Sequence, residues 1–172
     1  MRDMIESDIE DYVRWFTVET EWGDWDAPWE PLSLDEDKER RSWTEYYESV
    51  RSMPKETLRR KFEIECGGVH VGCVSRYTDL DYMENPEEIP AVGLFIPDVK
   101  KRRKGIGTAA LTQFIEYLHA NGYNAVYTQT WSGNIPMVKL AEKLGFREVC
   151  RKRNLREVRG AKYDAITWRL DL

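Results

Sequence analysis

The stretch from Val92 to Gly107 limits the possible folds of this chain more than any other. A compact apolar run, Val92 to Ile96, leads into Lys100-Lys101-Arg102-Arg103-Lys104-Gly105-Ile106-Gly107, and a helical pattern bearing Ile106, Ala110, Phe114 and Leu118 then runs to Gly122, which is placed to stop it. A strand that turns through such a loop into a helix aims several backbone N–H groups at one point, and phosphate groups bind at such points. Glycine at 105 and 107 allows a diphosphate to approach the backbone, and the cationic residues add favourable charge. Two other phosphate loops fit less well. Gly105-x-Gly107-x-x-Ala110 has the spacing of a dinucleotide fingerprint, but residues 123–132 contain no Asp or Glu to hold a ribose, and five basic residues stand where an apolar strand belongs. A Walker-type loop would need Gly-Lys followed by Ser or Thr, which the chain lacks. The plain alternative is a solvated basic turn at a helix start, and the loop alone does not decide between the two.

The flanking segments give an order of elements. Ser7-Asp8-Ile9-Glu10 has capping-box spacing, and Ile9, Tyr12, Val13 and Phe16 follow at helical intervals. Glu19 to Pro31 is acidic, rich in tryptophan and without a period, which reads as a loop rather than a buried element. A second capping box, Ser33 to Glu36, opens a helix with Trp43, Tyr46, Tyr47 and Val50. Arg60 to Cys66 and Val69 to Val74 alternate around Gly67-Gly68 as a β-hairpin, and an acidic linker from Asp79 to Glu88 leads to the apolar run. After the loop and its helix come a strand at Val126 to Thr128, a helix from Asn134 to Leu144 stopped by Gly145, and closing strands at Arg147 to Cys150 and Ala165 to Leu170. This order predicts an α/β sandwich around one sheet, as a single domain over residues 1–172.

Composition narrows the partners. With 26 basic against 31 acidic residues the net charge is −5, which repels polyanions and argues against nucleic acid. Cys66, Cys73 and Cys150 have no Cys-x-x-Cys spacing and lie in strand-like contexts, so they read as reduced core residues. No cleavable leader pattern and no apolar run near the ~20 residues that span a bilayer is present, so a soluble, cytoplasmic protein without a membrane partner is expected.

Two motifs in order carry a family resemblance. Arg102-x-x-Gly105-x-Gly107, after an apolar strand and before a helix, matches the Arg/Gln-x-x-Gly-x-Gly/Ala signature of the GNAT superfamily of N-acetyltransferases. Asn134-x-x-Met137-x-x-Leu140-x-x-x-Leu144-Gly145-Phe146 resembles that family's second motif, and Arg159 to Ala165 is similar to the closing hairpin of its Rim-type and spermidine-acetyltransferase-like branches. The resemblance implies a mixed, mostly antiparallel twisted sheet with a splayed parallel strand pair and helices on both faces. It also implies acetyl-CoA as cosubstrate and no metal. The main chain of Leu94, Phe95 and Ile96 would take the pantetheine arm and polarise the thioester. Arg102, Arg103, Lys104, Gly105, Ile106, Gly107 and Thr108 would hold the diphosphate, with Asn134 and Lys143 nearby. Asn134 also reads as a helix N-cap, and Lys143 as solvated surface.

Two departures bear on mechanism. Ala141 stands where many relatives carry a proton-donating tyrosine, and Ala91 where many carry a strand glutamate. A thiol of pKa about 8.5 leaves without an acid, but an amine of pKa about 10.4 must first lose a proton. Glu88 and Asp98 are the catalytic candidates by chain position, with Tyr77 and Tyr82 as alternative polar contributors; His70 and His119 read as structural. For the acceptor, Glu21, Trp22, Asp24, Trp25 and Asp26 mix carboxylates with indole rings, a composition suited to ammonium groups. The expected partner is a small cationic amine, polyamine- or aminoglycoside-like. A polypeptide amino terminus remains open, as does a sensor that binds acyl-CoA without turnover, and a homodimer is compatible with all three. Equally, the charges could be a solvated face and the tryptophans simple loop anchors.

Overall fold

A computed structural model describes residues 1–172. Six strands form one sheet in the order β1-β2-β3-β4-β6-β5, namely β1 Lys61–Cys66, β2 Val69–Tyr77, β3 Ala91–Phe95, β4 Ala125–Trp131, β5 Arg147–Val158 and β6 Ala161–Asp171. Every neighbouring pair is antiparallel except β3 and β4. Alternation along the strands separates two faces. Val74, Val92, Val126 and Ile166 pack under helices α3 (Ile106–Ala120) and α4 (Ile135–Lys143) with Leu111, Phe114 and Leu118. Phe95 points the other way, against helices α1 (Asp8–Thr17) and α2 (Glu36–Arg51), where Tyr12, Val13 and Trp15 form a second core. No helix is long and apolar enough to cross a membrane.

The helix boundaries follow from particular side chains. Asn134 Oδ1 accepts from Met137 N at 3.1 Å and Pro136 occupies the first turn of α4, while Gly145 ends that helix with φ +84°. The two expected capping boxes form differently. Ser7 makes no side-chain cap; Asp8 instead accepts from Ile5 N at 2.9 Å and from Arg2. At α2 the cap is Asp35, accepting from Lys38 N at 2.9 Å, because Ser33 lies outside the first turn.

Three further expectations change. The closing strands extend well past Arg147–Cys150 and Ala165–Leu170, because β5 is an edge strand whose exposed, charged residues hide the alternation. Arg159 and Gly160, both at positive φ, join β5 to β6 in a tight turn. The tryptophan-rich segment is not wholly loop: Thr20–Asp24 is a 3-10 helix that buries Trp22 against Phe95, with ring centroids 4.6 Å apart. Of the cysteines only Cys73 belongs to the core; Cys66 is exposed and Cys150 half-buried. At the β1 edge, Arg2 and Glu63 exchange backbone hydrogen bonds of 3.0 and 2.8 Å, a single bridge in place of a further strand.

The parallel pair is joined at one place only. Ala91 registers with Tyr127, and Tyr127 N donates to Pro90 O at 2.9 Å. One step on, the Val92 carbonyl accepts from the Thr128 hydroxyl at 2.8 Å, and no further register pair follows as the strands part. Backbone groups two residues apart face the same side of a strand, so the Leu94 N–H opens into the gap.

Candidate active site

The loop after β3 is built to hold its shape without blocking the N-terminus of α3. Arg102 folds back: Nε and Nη2 donate to the Ile96 and Pro97 carbonyls at 2.8 Å each, and Nη1 pairs with Glu21 at 2.9 Å. Its side chain therefore braces the loop rather than facing the helix end. Asp98 caps the short turn at Val99–Lys101 by accepting from Lys100 N at 2.8 Å. Gly105 takes φ +81° as the α3 N-cap and brings no capping side chain, so the N–H groups of Ile106, Gly107 and Thr108 stay open beside exposed Arg103 and Lys104. Gly107 answers to packing: a Cβ there would stand 2.9 Å from Leu94 Cδ1 and 3.5 Å from Ile96 Cδ1. Lys143 Nζ lies 3.4 Å from Thr108 Oγ1, on the flank of the same helix end. Asn134 has its side-chain oxygen engaged in its own cap. Uncapped N–H groups, flanking cations and a Leu94 N–H turned toward the gap fit a diphosphate with an extended amide-bearing arm.

On the opposite face of β3, the strap of residues 19–32 spans the gap between the parted strands. Glu21 ties it to Arg102 on the β3 side, and Trp131 Nε1 of β4 donates to Trp25 O at 2.8 Å on the other. Asp24 pairs with Arg159 at 2.6 Å, and the Arg156 guanidinium stacks 4.3 Å over Trp29. Trp22 Nε1 donates to Trp15 O at 2.8 Å, fixing the buried end. Under the strap lies a cavity of about 410 Å³ walled by Tyr12, Phe16, Trp22, Leu32, Trp43 and Phe95, with Asp26, Glu30, Lys61, Cys73 and Ser75 as its polar groups.

These positions sort the expected acceptor residues. Trp22 and Asp26 line the cavity; Glu21 and Asp24 are engaged in ion pairs, and Trp25 is exposed, its Nε1 donating to Glu21 at 2.8 Å. Neither Glu88 nor Asp98 reaches it. Glu88 is exposed in the linker before β3, and Asp98 is an N-cap. Ala91 and Ala141 are fully buried packing residues. Sequence reasoning took in Glu30 only as the end of the acidic, tryptophan-rich segment and passed over Tyr12, Trp43, Lys61, Cys73 and Ser75. Tyr12 and Trp43 showed as periodic apolar positions, and only the packed structure brings their stacked rings to the cavity wall.

Charge in the cavity is uneven. Lys61 Nζ sits 4.1, 4.2 and 4.6 Å from the ring centroids of Tyr12, Trp43 and Tyr46, and 3.5 Å from Glu63. It is thus compensated. Asp26 and Glu30 have no ion-pair partner, and crowding by protein atoms in the concave wall, then the charge of Glu30, pushes the Asp26 carboxyl above its usual range. Burial, with carboxylates nearby, pushes Cys73 up to about 11 and Tyr77 up to about 12. Behind Tyr12, its hydroxyl donates to Glu63 at 2.5 Å, and His70 bridges Glu63 at 3.0 Å and Asp11 at 3.1 Å.

Comparisons with known proteins agree with this fold. The acetyltransferase (GNAT) domain family matches residues 1–147. No curated protein sequence matches the chain. Among solved structures, an N-acetyltransferase from Staphylococcus aureus Mu50 aligns with TM-score 0.71 at 18% identity, covering 99% of this chain and 96% of that one. Ribosomal-protein-alanine N-acetyltransferase from Brucella melitensis gives 0.70 at 20% identity, over 99% and 98%. A structure from Salmonella typhimurium, yncA with acetyl-CoA, gives 0.66 at 18% identity, over 99% and 91%. The parted β3–β4 pair, the uncapped helix start and the family match together identify this chain as a member of the GNAT acetyltransferase family.

Proposed function

We propose that the protein transfers the acetyl group of acetyl-CoA, by direct attack, to a primary amine of a small cationic molecule of polyamine or aminoglycoside type. One observation carries the acceptor class: an aromatic-walled cavity beside the end of β3 is bordered by two solvent-exposed carboxylates, Asp26 and Glu30, that no cation of the protein neutralises. Ring faces and unpaired carboxylates both attract ammonium groups, and a volume of about 410 Å³ suits a small ligand. The strap is tied at both sides of the gap, which favours a small molecule over a polypeptide.

On the donor side, the acyl carrier's diphosphate would rest on the N–H groups of Ile106, Gly107 and Thr108, with Arg103, Lys104 and Lys143 adding charge. The carrier supplies an activated acetyl thioester. The main chain from Leu94 to Ile96 would align it, with the Leu94 N–H stabilising charge that develops on the carbonyl oxygen. Arg102 and Asn134 act through the loop and the helix cap that they brace.

Thiol release from acetyl-CoA, measured with 1,4-diaminobutane, an aminoglycoside and basic peptides, tests the reading. Release with the small polycations and little with peptides is expected. Release with peptides alone would replace it by a protein N-acetyltransferase, and binding of acetyl-CoA with no release from any amine would make the chain a sensor.

A further inference from the structure

The reaction needs a group that takes a proton from the acceptor, and neither Ala91 nor Ala141 provides one. Glu88 and Asp98 do not line the cavity. Of the two carboxylates at the cavity, Asp26 is the one whose backbone is anchored to β4. Trp131 grips the carbonyl of the preceding residue, and the Asp26 N–H donates to Trp22 O at 3.2 Å. Its side chain has no hydrogen-bond or ion-pair partner, so its oxygens are free for a ligand. Its position follows from its neighbours. Asp26 shares the cavity wall with Cys73, Ser75 and Phe95, and its charge reaches both Cys73 and Tyr77. Those two flank Ser75, which registers with Gly93 of β3. Asp26 therefore overlies the strand whose next residue, Leu94, turns its N–H into the gap.

From this geometry we infer that Asp26 is the catalytic base, with Glu30 as the residue that tunes it. This rests on the small-amine reading above and deepens it. The Asp26 carboxylate takes one proton from the acceptor ammonium, leaving a neutral amine. The C–N bond forms and the C–S bond breaks; the second amine proton goes to the departing thiolate, and Asp26 returns its own to solvent through the cavity mouth. The net change is one ammonium and one thioester giving one amide, one thiol and one proton. The other titratable groups facing Asp26 are Glu30 on the strap, Lys61 on β1, Cys73 and Tyr77 on β2, and Tyr12 on α1. Crowding and the charge of Glu30 both hold the Asp26 proton more tightly, which makes it the stronger base.

The test is the pH dependence of kcat/KM for 1,4-diaminobutane in wild type, Asp26→Asn, Asp26→Glu and Glu30→Gln, with acetyl-CoA binding followed by calorimetry. Asp26→Asn should lower kcat on the order of 10²-fold at neutral pH and regain activity as alkaline pH frees the amine. Glu30→Gln should move the acid limb to lower pH, which a merely structural role would not do. Asp26→Glu should keep part of the rate. Unchanged kcat in Asp26→Asn, or an equal loss at neutral and alkaline pH, overturns the assignment. If Asp26→Asn fails to bind acetyl-CoA, the limb of Glu30→Gln decides, and an unmoved limb overturns it. A wild type that binds acetyl-CoA yet releases no thiol with the diamine overturns the acceptor reading itself.

Discussion

Gly105 and Gly107 stand two residues apart and answer to different constraints, which gives them different ways to fail. Gly105 has φ +81° and open space around it, so Gly105→Ala meets no atom but forces an L-residue into the left-handed region. That costs about 1–2 kcal/mol. Gly107 has ordinary helical backbone but lies against Leu94 and Ile96, so Gly107→Val drives a side chain into β3 at an overpacking cost of about 1–3 kcal/mol. In urea unfolding both variants should lose stability. Titration with coenzyme A should separate them: Gly105→Ala retains binding within about tenfold, while Gly107→Val, by displacing Leu94, loses much more. The motif gave both residues one shared reason, whereas the backbone at 105 and the packing at 107 differ, because a side chain's neighbours in space are not written in local spacing. The strap carboxylates make the same point. Glu21, Asp24 and Asp26 look equivalent in sequence, and only the distant partners Arg102 and Arg159 engage the first two away from the cavity wall.

Elements were legible wherever their signal is local. The α4 cap at Asn134, the stops at Gly122 and Gly145, and the β1–β2 hairpin at Gly67-Gly68 all lie where residue chemistry puts them. The long β5–β6 hairpin was half-missed because an edge strand carrying Arg151, Lys152, Arg153 and Arg156 need not alternate. The strap was misread because it has no period of its own and takes its shape from contacts with Trp15, Arg102, Trp131 and Arg159. Its stapling can be loosened one point at a time. Trp131→Phe keeps an aromatic wall next to Trp29 and Tyr163 but removes the N–H that holds Trp25 O. Losing one hydrogen bond of about 1 kcal/mol should raise the acceptor KM by about fivefold and leave the acetyl-CoA KM nearly unchanged. Arg102→Ala frees the Ile96 and Pro97 carbonyls together with Glu21, so it should raise both KM values. Steady-state kinetics with each substrate varied in turn reads the difference.

Across the whole molecule, α1 is attached to the sheet through charge as well as through its apolar face. His70 of β2, its side chain 3% exposed, faces Asp8 at 3.3 Å and Asp11 at 3.1 Å on α1, and Glu63 at 3.0 Å on β1. Burial alone would strip its proton, but the hydrogen bond and charge of Glu63, followed by the charge of Asp8, outweigh that and raise its pKa. A group whose folded pKa exceeds its unfolded value of about 6.5 binds more protons in the native state between the two. Its stabilising effect is complete below the unfolded value and disappears as pH rises through the folded one, with a slope of up to about 1.4 kcal/mol per pH unit. Arg2 keeps its charge over this range, since the hydrogen bonds it donates to Asp8 raise its pKa further. Asp8 is held below its usual range because its bonds to Arg2 and Ile5 overcome burial, so its stabilising effect persists until the medium is strongly acidic. The alkaline decline near neutrality therefore belongs to His70, and His70→Gln should flatten it while lowering stability at pH 6. Urea midpoints taken at half-unit steps from pH 6 to 9 would show this, and a slope that survives the substitution would place the titrating group elsewhere. Because Tyr12 of α1 also walls the acceptor cavity, loosening the helix at alkaline pH should weaken acceptor binding in wild type as well. In His70→Gln the acceptor KM should start higher and stay level over the same range.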